Sequence, residues 1–193
     1  MAAVPSPLVS MEQYLDLDRC SERHSEYYDG EMFPIETAGI DHGEIQGNIY
    51  DALRELFKGR PCRTFVSSVR VRIPNTRRYT YPDVLAACGA LELEDNKRDT
   101  LLNPTVLFEI LSPSTEGFDR GEKFAMYRTI PSLQEYVLVS RKHVMVERFR
   151  RQTTDNWQFE AITALDGSLR LESLGVEIPV RDIYSNVELV SED

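Results

Sequence analysis

Asp83, Glu109 and Lys123 are the residues in this 193-residue chain whose types and surroundings can do chemistry together. Glu109 interrupts the apolar run Val106-Leu107-Phe108-Glu109-Ile110-Leu111, which Ser112-Pro113 closes. A run of that length and bulk reads as a strand covered on both faces of a sheet, so the carboxylate falls at a largely desolvated position. Removing an ionised carboxylate from water costs on the order of several kcal/mol, and such a group needs a cation, a base or a bound proton. Asp83 opens a second apolar segment, Tyr81-Pro82-Asp83-Val84-Leu85-Ala86-Ala87; its structural alternative is a turn residue after proline. Downstream, Asp119, Lys123 and Tyr127 recur every four residues and share one helix face, where the alternative for Lys123 is a solvated lysine paired with Asp119.

Two acids on neighbouring strands are a sufficient protein contribution for magnesium or manganese, since magnesium keeps several of its waters. Strand parity puts Leu107, Glu109 and Leu111 on one face and Phe108 and Ile110 on the other. The backbone carbonyl of Ile110 can complete the ligand set. A divalent ion there supplies what phosphodiester hydrolysis requires, a nucleophilic water and charge stabilisation. The Lys123 ammonium then orients the water and stabilises the pentacovalent charge. A glycosidase acid pair is the competing use of Asp83 and Glu109, but no aromatic platform accompanies either acid.

The elements that carry these residues are readable from periodicity. Ser10 caps a short helix to about Leu17, with Met11, Tyr14, Leu15 and Leu17 as its apolar stripe. Asp29-Gly30 predicts a tight hairpin between residues 24–28 and 31–35. Ile45, Ile49, Leu53 and Leu56 fall on one face of a helix over 41–58, ended by Gly59-Arg60-Pro61. Strands are predicted over 62–66, 68–73, 81–88 and 104–111, a polar connection over 91–103, a helix over 117–129, and further strands over 133–140, 144–150, 157–162, 169–171 and 178–183. That order gives an α/β (α+β) fold: a mixed central sheet flanked by helices, with an N-terminal helix and hairpin and additional C-terminal strands. The length suits one domain over 1–193, with 1–9 as a flexible end.

At 41% hydrophobic and 28% charged, the composition is that of a soluble globular protein. No apolar run approaches the ~20 residues of a membrane span and no signal peptide is visible, so a cytoplasmic location is expected. Cys20, Cys62 and Cys88 are odd in number and widely spaced, which predicts free, buried thiols without disulfide or zinc. The net charge of −10 disfavours a nucleic-acid partner on its face. Its distribution points the other way, because Lys58 to Arg78 holds seven basic residues and no acid. A second basic cluster comprises Arg141, Lys142, Arg148, Arg150 and Arg151. Alternation of Val69, Val71 and Ile73 with Arg70 and Arg72 predicts both arginines on an exposed face. With Arg77 and Arg78 they are the expected contacts to DNA; solvated strand edges are the alternative.

Several segments together carry a family resemblance. Tyr81-Pro82-Asp83, then Val106 through Thr115, then Asp119-Arg120 with Lys123 and Tyr127, then Ile130-Pro131-Ser132-Leu133-Gln134-Glu135-Tyr136-Val137-Leu138-Val139 closely resemble the bacterial Uma two family, which is classed with the restriction endonucleases in the PD-(D/E)XK nuclease superfamily. The similarity extends from the Tyr14 helix and the Tyr28-Asp29-Gly30-Glu31 hairpin to Ile183-Tyr184. It implies a restriction-endonuclease-like core, a Mg2+- or Mn2+-dependent endonuclease, DNA as substrate and a homodimer. Under it Asp83 takes the place of the motif aspartate and Glu109 that of the second acid. Leu111 stands where the superfamily has its lysine, and Lys123 on the following helix is the matching amine. His42 matches a family histidine that opens the first core helix, with capping or packing as its alternative, and Glu44 is near enough to add an acid. His24 and His143 match no role. The displaced lysine and the acidic total leave open a nuclease-fold module that binds nucleic acid or a protein partner without cutting.

Overall fold

The computed structural model describes residues 8–36 and 39–189. Residues 1–7 of the predicted loose end lie outside that range. Val9 is held, its N–H donating to Gly30 O at 2.8 Å and its carbonyl accepting from Tyr27 Oη at 2.7 Å.

Helix α1 (Met11–Cys20) starts at Ser10, whose side chain and that of Gln13 form a reciprocal capping box, and it runs past the predicted end at Leu17. Strands β1 (Ser25–Tyr28) and β2 (Glu31–Pro34) pair across Asp29-Gly30, whose φ values of 51° and 114° are the positive angles this tight turn demands. Helix α2 (Ile40–Leu56) buries Ile45, Ile49 and Leu53.

The remaining strands are β3 (Cys62–Val66), β4 (Arg70–Ile73), β5 (Arg78–Thr80), β6 (Val84–Cys88), β7 (Thr100–Leu101), β8 (Val106–Leu111), β9 (Glu135–Ser140), β10 (Val146–Arg151), β11 (Trp157–Ile162), β12 (Ser168–Leu171) and β13 (Val176–Pro179). They form a six-stranded sheet in the order β11-β10-β9-β8-β6-β3, a five-stranded sheet β2-β1-β5-β4-β7, and the hairpin β12-β13. Both larger sheets are mixed: β8 runs parallel to β9, and β4 parallel to β7. The single strand predicted over 81–88 is therefore two strands in two sheets, separated by Tyr81-Pro82-Asp83. Pro82 has no N–H to give a ladder, so the chain leaves one sheet and enters the other there.

Every residue of β8 is buried. Val106, Phe108 and Ile110 pack with Ile45, Ile49 and Leu53 of α2, while Leu107 and Leu111 pack on the opposite side with Val71, Ile73, Met126 and Tyr127. Between β8 and β9 lies α3, three contiguous helical stretches (Glu116–Phe118, Asp119–Lys123 and Phe124–Tyr127) of which the middle one is π-helical. The last predicted strand, 178–183, is instead the end of β13 followed by the helical turn α4 (Val180–Ile183). No helix among the described residues is long and apolar enough to cross a membrane.

Two expectations need correcting. Cys62 and Cys88 form a disulfide, and Cys20 is exposed. The β3–β6 register sets Cys62 directly opposite Cys88, a proximity that sequence spacing does not reveal. Arg70 is not on an exposed face but 1% exposed. Its Nη2 meets Asp18 Oδ2 at 2.8 Å, its Nε donates to Tyr81 Oη at 3.1 Å and its Nη1 to Thr100 Oγ1 at 2.9 Å. Helix α1 brings Asp18 and Tyr14 onto the sheet face that alternation would leave to solvent.

Candidate active site

Strand register brings the two acids together. The antiparallel β6–β8 register begins at Val84 opposite Phe108, with Asp83 just before it and Glu109 just after, and the Asp83 charge is felt at Glu109. Asp83 Oδ2 accepts the Ile110 N–H at 2.7 Å, and His42 Nε2, from the first turn of α2, lies 3.2 Å from the same oxygen. Gln46, one helical turn on, donates from Nε2 to the Asp83 carbonyl at 2.8 Å. Asp83 is thereby fixed in side chain and backbone at the point where the chain crosses between sheets.

Glu109 faces α3. Its Oε1 accepts from Tyr127 Oη at 2.8 Å and lies 3.0 Å from Lys123 Nζ. Lys123 also meets Asp119 Oδ1 at 3.6 Å and Glu26 Oε1 at 3.2 Å. Glu26 comes from β1, a segment to which the sequence reading assigned no chemistry. It is locked by Tyr28 Oη, which donates to Oε2 at 2.6 Å, and by the Tyr81 N–H, which donates to Oε1 at 3.2 Å. Tyr127 Oη further contacts Thr80 Oγ1 at 3.1 Å. The π-helical turn spans both Asp119 and Lys123, and such turns are frequent at functional sites.

Burial pushes the Glu109 carboxyl well above the ordinary carboxylate range, opposed by Lys123 and reinforced by Asp83, Asp119 and Glu26. Burial likewise raises Asp119, against the pull of Lys123. Burial works against the Lys123 ammonium, yet Glu109 and Glu26 outweigh it and hold its pKa well above the usual lysine value. Tyr127 is driven up by burial and then by the Glu109 charge, so it stays a neutral donor. Lys123 is thus a cation and a proton donor, not a base, set among carboxylates that outnumber it.

Among the described residues no group of three or more His, Cys, Asp or Glu side chains has metal-ligand spacing. The donors fit a hard cation that retains waters: Asp83 Oδ1 and Glu109 Oε2 accept no hydrogen bond from described residues, whereas the other oxygen of each carboxylate is occupied. They do not fit tetrahedral zinc, which takes a full set of protein ligands in structural sites and three in catalytic ones. Ile110 joins the site through its N–H.

Asp83, Glu109, Lys123, Asp119, Tyr127, His42 and Ile110 are therefore drawn into one region. Glu44 makes no hydrogen bond or ion pair to them among the described residues. The four arginines chosen as DNA contacts are engaged elsewhere: Arg70 as above, Arg72 with Glu94 at 2.6 Å, Arg77 with Tyr27 Oη at 3.1 Å and Arg78 with Asp29 at 2.6 Å. In the second cluster, Arg148 pairs with Glu160 at 2.6 Å, and Arg151 donates to the carbonyls of Arg128 and Ile130 at the end of α3. Arg141 and Lys142 follow β9, whose last residue Ser140 pairs with Leu111 at the site end of β8. Arg141 lies beside Gly39 at the start of α2 and forms no ion pair among the described residues.

The mixed α/β fold has a counterpart in a crystal structure. The structure matches that of "a putative nuclease belonging to DUF820" from Anabaena variabilis ATCC 29413 with a TM-score of 0.75, over 92% of this chain and 98% of that one. Identity is 19%, so the likeness is one of fold. Residues 11–181 match the model of the Uma2 family, described as "Putative restriction endonuclease", and the chain belongs to that family. Two proteins of Synechocystis sp. strain PCC 6803 are similar along their length. The uncharacterized protein slr1290 is 31% identical over 94% of both chains, and the uncharacterized protein sll1609 is 32% identical over 81% of this chain and 89% of its own. The resemblance read from the sequence motifs is the family shown here.

Proposed function

We propose that this protein is a divalent-metal-dependent endonuclease that hydrolyses DNA phosphodiester bonds. The observation that carries the proposal is the Lys123 ammonium, 3.0 Å from the buried acid Glu109, with Asp83 bonded to the N–H of the next residue, Ile110. Asp83 and Glu109 each keep one carboxylate oxygen for Mg2+ or Mn2+, with the Ile110 carbonyl as the further ligand. When bound, such an ion lowers the pKa of a water and neutralises charge on the phosphoryl oxygens.

The chain's own residues do the rest. The Ile110 N–H orients Asp83, with His42 Nε2 3.2 Å from the same oxygen, and Tyr127 orients Glu109. Glu26 and Asp119 keep Lys123 protonated and aimed, so that its ammonium orients the attacking water and stabilises the pentacovalent charge. Arg141, together with Lys142, whose exposed ammonium is 4.0 Å from Glu116, replaces the four engaged arginines as the phosphate contact. A homodimer belongs to the same proposal and is read by sedimentation.

The test is cleavage of plasmid and single-stranded DNA with and without Mn2+, using Asp83→Ala and Glu109→Gln as controls. Metal-dependent cleavage lost in both variants supports the enzyme. The internal pairing of Arg70, Arg72 and Arg78 favours a second reading, a nuclease-fold module that does not cut. Binding without cleavage in any divalent ion would establish that reading instead.

A further inference from the structure

We propose that Phe33 is a stacking platform for an unpaired nucleobase next to the phosphodiester held at the site, which makes single-stranded or locally opened nucleic acid the substrate class. The proposal rests on the nuclease reading above and deepens it.

Phe33 is placed by strand register. It pairs with Glu26 across the β1–β2 hairpin, and opposed residues project from the same face. Glu26 is the residue that reaches Lys123 Nζ at 3.2 Å, so Phe33 lies on the next strand, on the face that carries that carboxylate. Strand β2 is the outer strand of its sheet, so no further strand covers Phe33.

The ring is open but braced. Phe33 is 46% exposed, whereas Tyr27 and Tyr79 in the same sheet are fully buried. It makes a T-shaped contact with Tyr28 at 5.5 Å, and Tyr28 makes another with Phe118 at 5.7 Å while donating its hydroxyl to Glu26. An aromatic ring held in place with nearly half its surface open suits a base, whose π-face stacks whatever its identity.

Charge selects between duplex and single strand. Duplex binding draws mainly on many Lys and Arg contacts to phosphates. Here the net charge is −10, Arg70 is buried against Asp18, and Arg72, Arg77 and Arg78 each already engage a neighbouring side chain at the surface. Arg141 and Lys142 near the site end of β8 suffice for a short stretch of backbone, so base stacking must contribute a large share of binding.

The experiment separates binding from cleavage. End-labelled oligonucleotides, single-stranded, duplex, and single-stranded with abasic positions, are titrated in Ca2+ with wild type, Phe33→Ala, Phe33→Leu and Phe33→Trp, and then cut in Mn2+. Wild type is expected to prefer the single strand. Phe33→Ala and Phe33→Leu should both weaken that binding about tenfold, the effect of losing one stacked base, with duplex and abasic binding unchanged. Phe33→Trp should restore it, with indole emission quenched by the bases. Duplex preference in wild type, or single-strand binding indifferent to Ala and Leu, overturns the platform. Phe33-dependent binding without cleavage sinks the nuclease reading alone, and duplex cleavage indifferent to Phe33 sinks the platform alone. Wild type that binds no oligonucleotide overturns both.

Discussion

Replacing Lys123 with Met removes the ammonium while keeping a side chain of similar length. Lys123, Glu109 and Asp119 have side chains 8%, 5% and 4% exposed, and Glu26 is 16% exposed. The variant leaves those three carboxylates without the one cation that contacts all of them. Breaking a buried ion pair by deleting one partner costs about 3–5 kcal/mol. A chain of this length shifts its melting temperature by about 2–4 °C per kcal/mol, so Lys123→Met should melt roughly 6–20 °C below wild type in EDTA. The uncompensated acids should bind a divalent ion more tightly, and Mn2+ at a hundredfold excess over Kd restores about 2.7 kcal/mol. The Mn2+-induced rise should therefore be larger in Lys123→Met than in wild type. Adding Glu109→Gln should recover part of the EDTA loss and abolish most of the Mn2+ effect. Cleavage should fall on the order of 10²–10³-fold, as for loss of one preorganised charge-stabilising donor. Thermal melts of the three proteins, with and without metal, are sufficient. A Lys123→Met melt in EDTA matching wild type would refute the arrangement, as would Mn2+ shifts that ignore Glu109.

Arg70→Met should destabilise by about 3–5 kcal/mol because it strands the fully buried Asp18, and Asp18→Asn should relieve part of that loss in a double-mutant cycle; a stable Arg70→Met that only loses DNA affinity would restore the exposed reading. Metal binding must displace the proton that burial favours on Glu109, so Mn2+ affinity by calorimetry should drop about tenfold per pH unit below the Glu109 pKa and level off above it. In the metal-free protein the same raised pKa means that folding binds a proton there. Stability therefore falls as pH rises from the unfolded value of about 4.3 through the folded one, and Glu109→Gln should flatten that slope. Reducing the Cys62–Cys88 bridge, which spans 26 residues, should cost about 3.5 kcal/mol by loop entropy, and an unchanged melt in reductant would count against the cross-link.

What was legible in the sequence was local. The β8 run announced burial on both faces, and the four-residue recurrence of Asp119, Lys123 and Tyr127 announced their shared face, because each signal lies within one element. Glu26 gave no such signal: Ser-Glu-Tyr-Tyr reads as an ordinary hairpin strand, and only packing of the five-stranded sheet against α3 carries its carboxylate to Lys123. Arg70 was misread for a related reason. Period-two alternation marks a strand with one open face, and nothing in that pattern reports that α1 returns to cover it. The Cys62–Cys88 bridge depends on register between strands, which spacing along the chain does not encode.

Lys123 touches Glu26 in one sheet and Glu109 in the other. Two of its three acidic contacts therefore depend on the separation of the sheets, the third being Asp119 on its own helix. Anything that wedges the sheets apart would unbalance the ammonium, and because Asp83 stands where the chain passes from one sheet to the other, the same separation would reach the ion-holding carboxylates. The fold thus ties both the readiness of its cation and the set of its acids to the closeness of two layers.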